Sequence, residues 1–336
     1  MFKYFAVAAI VTALAASSAF SQESESPQPT SEVNPMEAML AKRSALTAQC
    51  QPNNMSPEAK AKASPIHVTI WGDKGPAVLF IHGGVQGGIG GGPSNFAGQK
   101  PLSAEGWLLK LVDRPGFGQS PTRGADDQEA DAIWIAEILG DGSHLVGHSF
   151  GGVEALLAAA RRPQAVRSLI LIEPALEPLM LTDPDSMKNP HAQAGLQTIG
   201  KLFFAARTPA EFATLFAGTL GKGEDGGPNP SSAALAASPE KAAALGCALL
   251  QARQASPAAM RQAAEIVAHA HIPVLVISGG YDPGQDAKAG IVAKLTHGRH
   301  VIVPSPNHFV QQMNPKEFNR VINDFMSEAD RRRAKP

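Results

Sequence analysis

Seven short apolar runs set the frame: IHVTIWG (66–72), AVLFIHG (77–83), WLLKLVD (107–113), SHLVGHS (143–149), RSLILIEP (167–174), IPVLVIS (272–278) and RHVIVP (299–304). Each has the length and aliphatic content of a β-strand. Several are unbroken rather than alternating, as strands are when both faces are covered. Helical segments lie between them at 127–139, 152–161, 285–295 and 315–329. Strand and helix alternate, which predicts an α/β fold: a mostly parallel open sheet flanked by helices, joined by right-handed crossovers. The sheet domain takes residues 66–175 and 272–336.

The alternation stops across 176–271, where helix starts replace strands. Thr208-Pro209-Ala210-Glu211 has the form of a capping box with proline at the first helical position. Ser238-Pro239 and Ser256-Pro257 repeat the cap-plus-proline pattern. A helical insertion in a sheet domain reads as a cap or lid. The loop GKGEDGGPNP (221–230) is its candidate hinge. Leu202, Phe203, Phe204, Phe212, Leu215 and Phe216 fall at helical spacing and suit packing of the cap; any that line a pocket favour an apolar acyl group.

The amino-terminal segment MFKYFAVAAIVTALAASSAFS (1–21) has a basic start, an apolar stretch and small residues at a cleavage site after Ser21. That is a secretory signal peptide, with an apolar run too short for a spanning helix. A periplasmic or secreted protein with no stable membrane anchor is expected. A polar lead occupies 22–65, in which Asn34-Pro35 opens a helix to about residue 48. This helix is a candidate arm for a partner subunit, which leaves a homo-oligomer open. In an oxidising compartment Cys50 and Cys247 can pair; two separate buried thiols are the alternative. The formal charge of -1 excludes the concentrated positive face of a nucleic-acid binder. Near-neutrality suits a neutral small-molecule substrate.

The chemistry gathers at strand ends. Gly147-His148-Ser149-Phe150-Gly151 lies between a strand and an Ala/Leu-rich helix. A G-x-S-x-G in that setting is a nucleophile elbow, which lifts a serine hydroxyl above the sheet edge. Phe80-Ile81-His82-Gly83-Gly84 ends an earlier strand, where an oxyanion loop belongs. The amides of Gly84, or of Val85, and of Phe150 are the candidate donors. The seven glycines of 83–92 fit neither G-K-[ST] nor G-x-G-x-x-G, so they read as close backbone approach and no cofactor is expected. Of ten histidines, His308 stands apart in a loop after the last strand and can reach the same sheet edge. His148 should point elsewhere, and His82 should support its loop by hydrogen bonding. His269, His271, His297 and His300 lack a matching carboxylate or cysteine set, so no metal is expected. Two carboxylates at strand ends compete to orient the base. Asp282 is favoured over Glu173, and Asp286 reads as a helix-dipole partner.

Together HGG (82–84), DRPGFGQS (113–120), LVGHSFGG (145–152), SGGYDP (278–283) and PNHF (306–309) resemble the α/β-hydrolase superfamily, and within it the lid-bearing serine hydrolases. The resemblance covers about 66–175 and 272–330. It implies an eight-stranded sheet, catalysis by Ser149, Asp282 and His308, and a bracing loop at Asp113-Arg114. Related dehalogenases and epoxide hydrolases use an aspartate where Ser149 stands, which disfavours those activities. Some secreted esterases of the superfamily place the acid after the sixth strand, which keeps Glu173 in view. The expected function is a secreted serine hydrolase that cleaves an ester, lactone or thioester of a small apolar substrate through an acyl-enzyme. Acyl transfer, perhydrolysis and C–C bond hydrolysis use the same triad. A non-catalytic binding protein on this scaffold is the rival outside enzymes, and the intact Ser–Asp–His set argues against it.

Overall fold

The computed structural model describes residues 35–53 and 66–334. The expected signal peptide, the polar stretch 22–33 and Asn34 lie outside the described residues. The strands are β1 (Val68–Trp71), β2 (Ala77–Ile81), β3 (Leu108–Val112), β4 (Ser143–His148), β5 (Val166–Ile172), β6 (Val274–Ser278) and β7 (Arg299–Ile302). Their spatial order is β1-β3-β2-β4-β5-β6-β7. β1 runs antiparallel to β3, and every other neighbour is parallel. Among the described residues the sheet thus has seven strands rather than the eight that the resemblance implied.

The chain leaves β2 for β3 on one side and returns to β4 on the other, so the connections after β2 and β4 diverge at a switch point. Open α/β sheets place their ligands outside the carboxyl ends of strands at such a point. Several apolar runs outlast their strands at that edge. β2 ends at Ile81, β4 at His148 and β5 at Ile172. The residues just beyond β4 and β5 turn out of the ladder: Ser149 has φ 55° and Glu173 φ 43°. Few L-residues adopt such values without a surrounding structure that enforces them.

The core has two layers because side chains alternate along each buried strand. Leu79, Ile81, Leu145, Leu169 and Leu171 face one side. There they meet helices α2 (Gln128–Ile138), α3 (Phe150–Arg161), α8 (Pro257–His269) and α9 (Pro283–Leu295). Val78, Phe80, Val146, Ile170 and Ile172 face the other side. They meet Phe318, Ile322, Phe325 and Met326 of α10 (Pro315–Arg333), a stripe at helical spacing.

Between β5 and β6 the chain forms α4 (Pro190–Ala205), α5 (Pro209–Gly218), α6 (Pro230–Ala236), α7 (Pro239–Gln251) and α8. Thr208 caps α5 by accepting from the Glu211 amide at 3.2 Å. The return bond of the expected box goes one residue further out, from the Arg207 amide to Glu211. Ser256 caps α8 through the Ala259 amide, whereas Ser238 makes no side-chain cap bond. Leu202, Phe203 and Phe212 are buried together with Leu250, while Phe204 and Leu215 stay exposed.

The amino-terminal helix α1 (Pro35–Thr47) docks on this insertion of its own chain. Met39 and Leu46 complete the Phe203–Phe212 cluster, and the Arg43 guanidinium donates to the Leu250 carbonyl at 3.2 Å. Cys50 and Cys247 form a disulfide that closes this contact. Beyond it, the Ala125 amide donates to the Asn53 carbonyl, so the arm touches the sheet domain too. Among the described residues no single helix is long and apolar enough to cross a membrane.

Candidate active site

Ser149 is the one partly accessible residue in a buried stretch from 143 to 159. Its strained conformation follows from crowding on both flanks. A Cβ on Gly147 would meet the Gly151 carbonyl and Ala155. A Cβ on Gly151 would collide with the Ile81 and His82 carbonyls of the next strand. Glycine is therefore required where the β4–α3 turn passes β2. The Ser149 amide donates to the Ile172 carbonyl at 2.9 Å, extending the β4–β5 pairing by one step. Phe150 opens α3, so its amide belongs to the unpaired first turn of a helix.

The loop after β2 lies against this turn. A Cβ on Gly83 would stand 2.6 Å from the Ser149 Cβ, so only glycine lets the loop come that close. His82 holds the loop. Its Nε2 accepts from the Arg114 amide at 3.1 Å, which leaves Nδ1–H to donate to the Gly83 carbonyl at 2.8 Å. Burial, aided by the Arg114 charge, lowers the His82 pKa to about 3 and keeps the ring neutral. The glycines that follow fit under neighbouring groups: Gly91 against Asp113, Gly92 against β3 and Gly88 against Leu245 of α7. Asp113 accepts from the Gly92 and Gln119 amides, tying the two loops together.

Arg114 is fully buried against the loop that follows β2. One guanidinium nitrogen donates to the Gly84 carbonyl at 2.9 Å. The other meets Asp126 at 3.0 Å, Asp131 at 3.5 Å and Glu154 at 2.7 Å. The guanidinium carbon sits 4.7 Å from the Phe150 ring centroid. Burial works against the Arg114 charge, but the three carboxylates outweigh it and hold its pKa above the usual value. Burial raises Glu154 well above the ordinary carboxylate range and raises Asp131 as well, against the pull of Arg114. Asp113-Arg114 announced a brace in the sequence. Its carboxylate partners, spread from residue 126 to residue 154, carried no local signal.

The structure pairs His308 with Glu173, not with Asp282. His308 Nδ1 lies 3.4 Å from Glu173 Oε2, and both side chains are buried. Glu173 also accepts from the Gly279 amide at 2.7 Å and from the Tyr281 hydroxyl at 3.2 Å. Burial, with Glu173 beside it, pushes the Tyr281 pKa up, so the phenol keeps its proton and donates. Asp282 is the N-cap of α9, where its Oδ1 accepts from the Gly284 and Gln285 amides at 2.7 and 2.9 Å. The sequence favours Asp282 as the acid, but Asp282-Pro283 is the same cap-plus-proline signal that marks α5 and α8. Glu173 follows β5, whose Ile172 is registered with His148 of β4, so adjacent strands deliver Glu173 and Ser149 side by side. Asp286 accepts from the Ser278 hydroxyl, which also meets His300, and so steadies the turn that carries Gly279.

His308 is held through its main chain. Its amide donates to the Leu220 carbonyl at 2.9 Å, and Asn307 bonds the Lys222 carbonyl through its side chain. The start of the expected hinge loop is thereby stitched to the histidine loop. A cleft of about 620 Å³ lies beside it, lined by Ile89, Asn95, Glu224, Asn307, Phe309 and Met313 among others.

A buried parallel sheet with a strained serine turn, a glycine loop against it and a carboxylate-paired histidine at one edge defines a hydrolase scaffold. Residues 76–315 match the family described as the alpha/beta hydrolase fold, and the chain belongs to it. Over 104 residues it is 36% identical to pimeloyl-[acyl-carrier protein] methyl ester esterase of Aeromonas hydrophila, covering 30% of this chain and 38% of the relative. Over 144 residues it is 33% identical to 2-hydroxy-6-oxo-6-phenylhexa-2,4-dienoate hydrolase of Burkholderia cepacia, covering 41% and 48%. The chain thus spans less than half the length of these curated relatives. The solved hydrolase of the same name from Rhodococcus sp. strain RHA1 is similar with a TM-score of 0.57 at 20% identity, covering 78% of this chain and 94% of that one. That likeness is one of fold.

Proposed function

We propose that this protein is a secreted serine hydrolase that cleaves a carboxylic ester, lactone or thioester of a small, neutral, apolar substrate. The observation that carries the reading is the buried Glu173–His308 pair beside the strained Ser149 turn. His308 takes the Ser149 proton, and the alkoxide attacks the carbonyl carbon. The Gly84 and Phe150 amides hold the oxyanion; removing one such donor costs on the order of 3 kcal/mol of transition-state stabilisation. His308 then protonates the leaving alcohol or thiol, and water, activated by the same ring, releases the acyl group. Glu173 fixes the His308 tautomer and stabilises the imidazolium. The test is hydrolysis of p-nitrophenyl esters of graded acyl length, with fluorophosphonate labelling read by intact mass. Ser149→Ala should lose labelling and at least about 10⁴-fold in rate. Unchanged hydrolysis by that variant would refute the mechanism.

A second reading, hydrolysis of a C–C bond next to a ketone, has support from the similarity to the Burkholderia cepacia dienoate hydrolase. Product analysis with a 2-hydroxy-6-oxo-dienoate beside the ester series separates the two. Secretion is supported by the residue pattern of 1–21 and by the Cys50–Cys247 disulfide, since such bonds persist in oxidising compartments. A mature protein beginning at Gln22 in the periplasm or medium is the expected result of fractionation and mass measurement.

A further inference from the structure

His148 precedes the candidate nucleophile, and the mechanism above does not use it. Its side chain is 1% exposed. Its Nε2 lies 3.0 Å from the main-chain carbonyl of His308. A carbonyl only accepts, so Nε2 carries a proton and donates. The ring also packs against the imidazole of His308 in a tilted contact, with centroids 4.8 Å apart and planes 43° apart, and reaches Phe309 at 5.7 Å. A Cβ on Gly83 would stand 3.1 Å from its Nδ1, so the ring fills the space between the oxyanion loop and the histidine loop. That Nδ1 is buried without a hydrogen-bond partner among the described residues. A structural filler would not need to carry an orphaned acceptor, since phenylalanine fills similar space without one.

We propose that His148 is a positioning residue for the base: its Nε2–H fixes the main chain of His308, and its ring backs the His308 imidazole. The proposal rests on the reading of Ser149 and His308 as nucleophile and base. The base must become a cation while Ser149 attacks, so the surface behind it has to stay uncharged. Burial holds the His148 pKa well below its ordinary value. The charges of His308, His82 and Lys288 oppose a charge on the ring, against the smaller pull of the His308 carbonyl that accepts from it. His148 is thus a neutral aromatic plate with one donor. Glu173 orients His308 through its ring nitrogen, and His148 orients it through its backbone. Those two constraints leave the imidazole little freedom to turn away from Ser149.

The test compares His148→Phe, which keeps a ring and loses the donor, with His148→Gln, which keeps a donor and loses the ring. The readouts are the rate of fluorophosphonate labelling at Ser149, kcat and KM per labelled site, and the acid limb of the kcat pH profile. Displacement of a catalytic group by an ångström costs on the order of a hundredfold. We expect His148→Phe to fall by roughly ten- to a hundredfold in kcat and labelling rate with KM little changed. His148→Gln should recover part of that loss, and the acid limb should shift in both. Wild-type labelling with an equal rate in folded His148→Phe would overturn the positioning role alone. No labelling of the wild-type protein would overturn the triad reading and this proposal with it. Should His148→Phe fail to fold, His148→Gln carries the test, and wild-type kcat with a wild-type pH profile there would overturn the role of the ring.

Discussion

The sheet edge and the helical insertion hold their residues by different means. At the edge, backbone geometry does the work. Ser149 and Glu173 sit at positive φ one step beyond adjacent strands, and glycines at 83, 147 and 151 let three segments pass closer than any side chain allows. The insertion is held by side chains: helix caps, the Phe203–Phe212 cluster, and a disulfide to the amino-terminal arm. A site that depends on backbone placement tolerates little change. A cap held by side chains can vary and reshape the space above the same chemistry. On the proposed function, reaction type belongs to the sheet edge and substrate choice to the insertion.

The sharpest way to break that contrast is at the acid. Glu173→Gln keeps the shape and removes the charge that fixes the His308 tautomer. It should lower kcat by about 10⁴-fold, as loss of the orienting carboxylate does in a serine triad. Asp282→Ala, at the cap of α9, should leave kcat nearly intact and cost about 1 kcal/mol of stability. Ester kinetics and urea unfolding on the two variants check both halves. A large kcat loss in Asp282→Ala alone would reverse the assignment.

The arm and insertion are the place for the next largest effect. The disulfide joins residues 197 apart in sequence, so it restrains the unfolded chain strongly. Cys50→Ser should lower the unfolding free energy by about 4–5 kcal/mol. Its kcat on a small ester should change only a few-fold, because Ser149 and Glu173 are anchored on the sheet and the His308 ring is paired with Glu173. Limited proteolysis should then cut first within the insertion. Loss of all activity in a folded Cys50→Ser protein would show that the cap shapes the reaction centre itself.

Stability at the edge should also depend on pH in a way that the insertion does not. Glu154 is buried, and its pKa is raised well above the ordinary value of 4.5. The folded state therefore gives up this proton less readily than the unfolded state. Stability present at low pH is lost as pH rises above the unfolded value, toward and through the folded one. Glu154→Gln removes the titrating group and with it this dependence. The variant should gain stability relative to wild type between pH 5 and pH 8, by less than the disulfide effect. The Arg207–Glu211 contact of the insertion is exposed. Its removal should leave the pH dependence unchanged, since exposed pairs contribute little. Urea midpoints at the two pH values decide the matter.

The same division explains what could be read from the residues alone. Strand runs, the Ser149 elbow and the loop bearing His308 are local patterns, so their types and order were legible. The ends of the strands were not, because a residue such as Glu173 leaves the ladder only when its neighbours across the sheet require it. The choice between Glu173 and Asp282 is a matter of which strand lies beside β4, a non-local fact. Arg114 shows the limit most clearly. Its motif is compact, but Asp126, Asp131 and Glu154 come to it from the loop before α2, from α2 and from α3. Pairing of Cys50 with Cys247 was open for the same reason, since nothing near either residue names the other.

The smallest expected effect lies wholly within the insertion, where two identical signals part company. Thr208-Pro209 and Ser238-Pro239 both read as helix caps. Thr208 accepts from the Glu211 amide, whereas Ser238 makes no side-chain cap bond. Thr208 is exposed, so replacing it leaves no cavity. Thr208→Ala should therefore cost about 1 kcal/mol through the lost cap alone. Ser238→Ala should cost a few tenths at most, because it has no cap bond to lose. Both variants should keep full activity on small esters if side chains hold the insertion independently of the sheet edge. Equal costs at the two positions would mean that proline at the first helical position, common to both, starts these helices, and that the hydroxyl adds nothing.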